Sequence, residues 1–402
     1  MENSLPAMQP AGLHRETELL VALLQFEASL ARSQAAAGLI PESAARSIVG
    51  TCKIELFDVP KIVRERTQYG DLVASMVQNL RETVSLFSQE ASGFVHLGCT
   101  GGEAIQTATA IVAQRALRDI DDALCTTTTA LRQFAELHAA TPVLERANYQ
   151  CVGVSSFGLK CAQWAASLVR CREALGARSR AALRVQWGST LDNQQCSVDQ
   201  AERILSFLCK DLALGSVEAM GLSPLQEWLA LGCEVGLLAG VLGNMGAELA
   251  CMGQPQVGEI LEPTAPDRFA SSAAMGYKLF AACLAAMENA QTAPQSVASL
   301  LAQGGHLHSM VQRQVELAPW SHLLLATHAA ATGLSQSIPS MQMDGTRMRQ
   351  NVETQLAALP KAGPGSPFNR TRVAQSEALA RRQIDAMGAY MQKWPLTPVQ
   401  TA

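Results

Sequence analysis

Trp228-Leu-Ala-Leu-Gly-Cys-Glu-Val-Gly-Leu-Leu-Ala-Gly-Val-Leu-Gly-Asn-Met-Gly-Ala-Glu-Leu-Ala-Cys-Met252 is the most apolar run of the chain. A membrane-spanning helix needs about 20 consecutive apolar residues, and this run is long enough. Glu234 and Glu248 nevertheless lie inside it, and Gly232, Gly236, Gly240, Gly243 and Gly246 recur along it. Ionisable groups are costly in hydrocarbon, and small residues let neighbouring helices come close. The run is therefore expected to be a soluble helix buried on nearly all sides, and no membrane partner is expected.

Composition agrees with a buried bundle. Hydrophobic residues make up 48% of the 402-residue chain and charged residues only 16%, so little charge remains to cover a monomer. That balance favours an oligomer whose helices are buried against other subunits. With 31 basic against 35 acidic residues, net −4, and no basic run, nucleic acid is excluded as a partner. The 11 cysteines are scattered singly, with no CxxC pair. They read as reduced, mostly buried thiols of a cytoplasmic protein, not as a disulfide frame or zinc site. Residues 1–16 are polar and lead into an amphipathic helix, so no secretory signal is expected.

Outward from the apolar run, helical periodicity fills the chain. Helices are expected at 15–37, about 42–52, about 71–90, 103 to about 138, and 157 to about 175. Others are expected at 197–212, 223–252, 279–292, 296–314, 318–335 and 371–392, with a short extended piece at 182–187 and no sheet required. The class is all-α: long bundle helices flanked by smaller helical ends. The boundaries read as an N-terminal helical domain over residues 1–102, a central bundle over 103–345 and a C-terminal helical domain over 346–402. Glycine- or serine-rich breaks at 96–102, 145–156 and 268–278 interrupt the long helices, and loops at bundle ends are where sites are commonly built. The third break, Arg268-Phe-Ala-Ser-Ser-Ala-Ala-Met-Gly-Tyr-Lys278, is poor in side-chain volume and carries two adjacent hydroxyls. On local pattern alone, Ser271 or Ser272 could simply cap the next helix.

The three breaks carry a resemblance. Phe94-Val-His-Leu-Gly-Cys-Thr-Gly-Gly-Glu-Ala-Ile-Gln-Thr107 resembles the YVHxGATSQDVxDT stretch of the fumarase/aspartase superfamily. Arg146-Ala-Asn-Tyr-Gln150 and Ser156-Phe-Gly-Leu-Lys-Cys-Ala-Gln-Trp164 resemble RTHLQ followed by TFGLKxAxW. Ser271-Ser-Ala-Ala-Met-Gly-Tyr-Lys278 is similar to GSSxMPxK, the flexible signature loop. The opening helix, with Glu27-Ala-Ser-Leu-Ala-Arg32 and Gly38-Leu-Ile-Pro41, also fits. Within the superfamily the chain most resembles the bacterial 3-carboxy-cis,cis-muconate cycloisomerases, near the adenylosuccinate lyases, over roughly residues 15–290.

The resemblance implies a homotetramer in which three subunits contribute loops to each site, and a small-molecule carboxylate substrate. The implied chemistry is removal of a proton alpha to a carboxylate with elimination or the reverse addition, which in the cycloisomerase branch adds the substrate's own carboxylate while the alpha carbon gains a proton. The implied base is Ser272, activated by Lys278. Thr100, Gly101, His96, Arg146, Gln150 and Met275 fall on substrate-binding positions, and Asn148 stands where the motif carries its catalytic His. An amide cannot deliver a proton near neutral pH. Further departures are Gly101 for Ser, Glu103 for Asp, Ala273 for the second Ser, Gly276 for Pro, and Phe280 for the signature Asn. These departures leave two readings, a divergent lyase or cycloisomerase acting on an unusual substrate and a catalytically inactive binding subunit. No cofactor is expected. His306 and His308, two apart on a helix, with His322 and His328, do not suggest a metal site.

Overall fold

The computed structural model describes residues 11–147, 150–188, 196–216, 225–261, 278–303, 310–358, 368 and 371–393. In chain order they form α1 (Ala11–Ala36), α2 (Glu42–Thr51), α3 (Val59–Tyr69), α4 (Leu72–Ser85), α5 (Gln89–Ser92) and α6 (Gly101–Leu137). The hairpin β1 (Pro142–Ala147) and β2 (Gln150–Ser156) follows, then α7 (Phe157–Ala182), α8 (Val198–Leu212), α9 (Leu225–Met252) and β3 (Ile260–Leu261). The chain continues through α10 (Lys278–Gln303), α11 (Met310–Ser337), β4 (Gln342–Met343), α12 (Gly345–Ala358) and α13 (Thr371–Lys393). The class is all-α, as the periodicity predicts.

Side-chain caps set where many helices begin. Asp58, Asp71, Ser88 and Ser156 each accept a hydrogen bond from the backbone N–H three residues on, opening α3, α4, α5 and α7. Capping boxes, Thr100 with Glu103 and Ser197 with Gln200, open α6 and α8. The core is a bundle in which α6, α7, α9, α10 and α11 pack successively on one another, with α1 against α6 and α8. Trp228 of α9 meets Trp320 of α11 edge to face, ring centroids 5.2 Å apart.

Within the single chain the apolar run is packed on its inward side and not, as expected, on nearly all sides. Leu231, Val235, Leu238, Leu242, Met245 and Leu249 of α9 are buried. Its glycines sit where backbones nearly touch: a Cβ at Gly246 would lie 2.9 Å from the Cys283 carbonyl oxygen of α10, and one at Gly243 would lie 2.3 Å from the Ala290 Cβ. The outward face is open. Leu237 of α9 is 62% exposed, and Leu284 and Leu301 of α10 are exposed as well. Gln226–Met252 has the length and hydropathy of a membrane span, with half of its most apolar window buried within the bundle.

Several expectations need correction. Residues 141–156 are not a simple break. They form the antiparallel β1–β2 hairpin, with a register irregularity between Glu145 and Arg146; a second, two-residue pairing joins β3 to β4. The predicted helix over 71–90 divides into α4 and α5 around Leu86 and Phe87, because Ser88 starts a new cap. Helices α3 and α12 have no counterpart in the sequence reading, and α7 runs on to Ala182. Breaks expected near Pro294 and Pro319 do not occur, since α10 and α11 pass through both prolines. A proline inside a helix costs about 3 kcal/mol, and here packing of α10 between α9 and α11 outweighs it.

Candidate active site

The turn from Gly93 to Thr100 is held from two sides. Gln34 of α1 donates to the Leu97 carbonyl at 2.7 Å, and Arg81 of α4 donates to the Val95 carbonyl at 3.1 Å. Between these two anchored carbonyls His96 takes φ +61°, an uncommon conformation for a residue with a side chain. Gly98 follows with φ +63°, where glycine meets no steric penalty. The imidazole Nδ1 lies 2.5 Å from Oε1 of Glu27, whose side chain is 1% exposed in α1. Burial disfavours the charged ring, but the charge and hydrogen bond of Glu27 raise its pKa above the ordinary histidine value. Glu103 adds to this effect and Arg81 opposes it.

Thr100 ends the turn as the cap of α6. Its hydroxyl accepts from the Glu103 N–H at 3.2 Å and lies 2.9 Å from the Glu103 carboxylate, to which its proton is donated; that carboxylate also accepts from the Thr100 N–H at 2.8 Å. The hydroxyl has one proton, so in this arrangement it has none left for a ligand. The N–H groups of Gly101 and Gly102 take no part in the cap. His96, Thr100, Gly101 and Gly102 share a cavity of about 540 Å³ with Arg81 and Gln78 of α4. Three of the expected site residues thus lie together, in a cavity that also holds the Arg81 guanidinium and the Asp71 carboxylate.

Arg146 does not line that cavity. From β1 it donates two hydrogen bonds, at 2.8 and 2.7 Å, to the fully buried carboxylate of Glu259. Asn351 of α12 donates to the same carboxylate at 2.8 Å. The guanidinium charge is therefore paired within the chain, tying the hairpin to the segment after α9 and to α12. Gln150 opens β2 with an exposed side chain, and Lys278 is the exposed first residue of α10. Asn148, Ser272 and Met275 lie outside the described residues, as do His306 and His308. No group of three or more histidine, cysteine or carboxylate side chains arranged for a metal occurs among the described residues.

Sequence reasoning misses Glu27 and Glu259 as partners. Glu27 has a signal: it falls on the same apolar helical stripe as Leu20, Leu23, Leu24 and Leu30, where a carboxylate requires a partner. Thr100-x-x-Glu103 likewise carries the capping-box pattern. Glu259 follows a turn and precedes a two-residue strand, and nothing periodic marks it.

Known proteins share both the sequence and the fold. Residues 8–275 match the family described as Lyase. A 3-carboxy-cis,cis-muconate cycloisomerase of Bradyrhizobium diazoefficiens is 30% identical over 352 residues, covering 87% of this chain and 78% of that protein. A nitrosuccinate lyase of Streptomyces davaonensis is 29% identical over 351 residues, covering 83% of this chain and 72% of its own length. The crystal structure of the 3-carboxy-cis,cis-muconate lactonizing enzyme of Pseudomonas putida has the same fold, with TM-score 0.73 at 23% identity over 92% of this chain and 83% of that one. A fumarate lyase from Mesorhizobium also superposes, with TM-score 0.70 at 20% identity over 94% of this chain and 87% of that one. The chain belongs to the lyase family of the fumarase/aspartase superfamily.

Proposed function

We propose that the protein is a divergent lyase or cycloisomerase that either removes a proton alpha to a carboxylate and expels a group that needs no protonation or, in the reverse sense, adds an internal carboxylate across a double bond while the alpha carbon takes up a proton. The observation that carries this reading is the pairing of a kept base with a lost acid. Ser272 and Lys278 stand at the base positions of the signature loop, whereas Asn148 stands where the family motif has His. General acid catalysis contributes about 10²–10⁴-fold, so useful turnover without it calls for a leaving group or nucleophile that is already a stable anion. A carboxylate closing a lactone meets that condition, as does nitrite. Both chemistries accord with the names of the similar proteins, a carboxymuconate cycloisomerase and a nitrosuccinate lyase. The substrate is a small carboxylate, bound among others by His96 and by the N–H groups of Gly101 and Gly102. No cofactor is invoked. The protein works as a cytoplasmic homotetramer whose subunits share sites, a reading supported by the uncovered apolar face of α9.

The internal commitment of Arg146 to Glu259 and of the Thr100 proton to Glu103 favours a second reading, an inactive binding subunit. A thermal-shift screen of mono-, di- and tricarboxylates, followed by turnover assays of the ligands found, separates the two. The lyase reading expects turnover that Ser272→Ala abolishes while the ligand still binds; binding without turnover by the native protein supports the second.

A further inference from the structure

Glu27 is a buried carboxylate that the family motifs leave without a role. It lies on the inward face of α1, 1% exposed, and its oxygen meets His96 Nδ1 at 2.5 Å. The ring lines the cavity between α4 and the start of α6, and Nε2 makes no hydrogen bond among the described residues. The backbone beneath it is fixed in a strained conformation by Gln34 and Arg81, one on each flanking carbonyl. Strain over-determined in this way is a mark of function more than of fold. We propose that Glu27 is a positioning residue: it fixes the His96 tautomer and rotamer and holds the ring as an imidazolium whose Nε2–H is presented to a substrate carboxylate in the cavity. This deepens the proposed function and rests on it for the identity of the ligand.

The surroundings determine the pH range. From α1 the ring faces Glu27, from α4 Arg81, and from α6 Glu103. Asp71 and Tyr69 line the same cavity, Asp71 already accepting the N–H of Ala74. Cys52 lies near Glu27 and near Arg32, and Cys99 lies near both Glu27 and Glu103. Because the folded pKa of His96 is raised, the contribution of the pair is complete below the ordinary histidine value and is lost as pH rises through the folded value. If Glu27 lost its charge, burial would dominate and the ring would become neutral at lower pH.

Glu27→Gln keeps the shape and an accepting oxygen but removes the charge, and Glu27→Asp keeps the charge at a longer reach. Deuterium exchange at the imidazole Cε1 carbons, read by peptide mass spectrometry, gives the titration of His96 in each assembled full-length variant. Calorimetry with tricarballylate, from acid to alkaline pH, gives carboxylate binding. The expected result is a His96 midpoint above that of exposed histidines in the native protein, lower in Glu27→Gln and partly recovered in Glu27→Asp. Tricarballylate should bind Glu27→Gln roughly tenfold more weakly at neutral pH, the loss of about one charge-assisted hydrogen bond, and the two proteins should converge in acid. A His96 midpoint unmoved by Glu27→Gln overturns the proposal, as does affinity that ignores both the variant and the pH. Tricarballylate that fails to bind the native protein while His96 titrates high overturns the carboxylate reading of the site and leaves the positioning role standing.

Discussion

At Arg146 and Glu259 a buried carboxylate receives two guanidinium N–H groups and one amide N–H, so its charge is met entirely by side chains of the same chain. Removing one partner of a buried ion pair costs about 3–5 kcal/mol, because the remaining charge is left uncompensated. Arg146→Ala should therefore lower the unfolding free energy by that amount, whereas replacing both partners with methionine should cost much less. A single variant as stable as the native protein would show that the guanidinium is not held by Glu259. The resemblance alone assigns Arg146 to a substrate, because a motif carries the identity of a residue and not its partner. That partner lies 113 residues away in the sequence. Glu27 and His96 are separated in the same manner, by 69 residues, and become a pair only when α1 packs beneath the turn.

Among the elements, α7 approaches the end of α6 so closely that no side chain fits between them. A Cβ at Gly158 would lie 2.5 Å from the Ala139 Cα and 2.6 Å from the Ala135 carbonyl oxygen, both backbone atoms with no freedom to move aside. Gly158→Ala should destabilise by about 1–3 kcal/mol or more through overpacking. Gly176→Ala in the same helix meets only the Arg180 guanidinium at 3.7 Å and should stabilise by up to about 1 kcal/mol from helix propensity. Equal effects of the two, measured by denaturant unfolding, would contradict this packing. The long helices are legible in the sequence because α6 carries its apolar period over many turns and because no proline interrupts α7 or the apolar run of α9. The hairpin is not, since Glu145-Arg-Ala-Asn-Tyr-Gln150 lacks the alternation that marks a strand, and its pairing is set by α12 and α13 packed against it. The prolines of α10 and α11 mislead for the opposite reason: a local breaker is overruled by burial on neighbouring helices. The first loop is legible as a candidate site, and its donors and cap partners require the fold.

In the whole molecule, we propose that the apolar face left open on α9 and α10 and the carboxylate chemistry of the loops belong to one assembly. Leu237, Leu284 and Leu301, each more than half exposed in the single chain, are expected to be covered by other copies. Light scattering at micromolar concentration should give a tetramer, and a clean monomer would contradict the assembly. Turnover by that assembly carries the larger claim, that a chain with Asn148 in the acid position can expel only a group stable as an anion. The most direct test is to offer the purified protein nitrosuccinate and 3-carboxymuconate beside malate and aspartate, all followed by proton NMR. Conversion of a substrate of the first kind is expected, releasing nitrite or closing a lactone, with malate and aspartate left unchanged. Elimination of water or ammonia at ordinary enzymatic rates would contradict it, because some other residue must then deliver the proton.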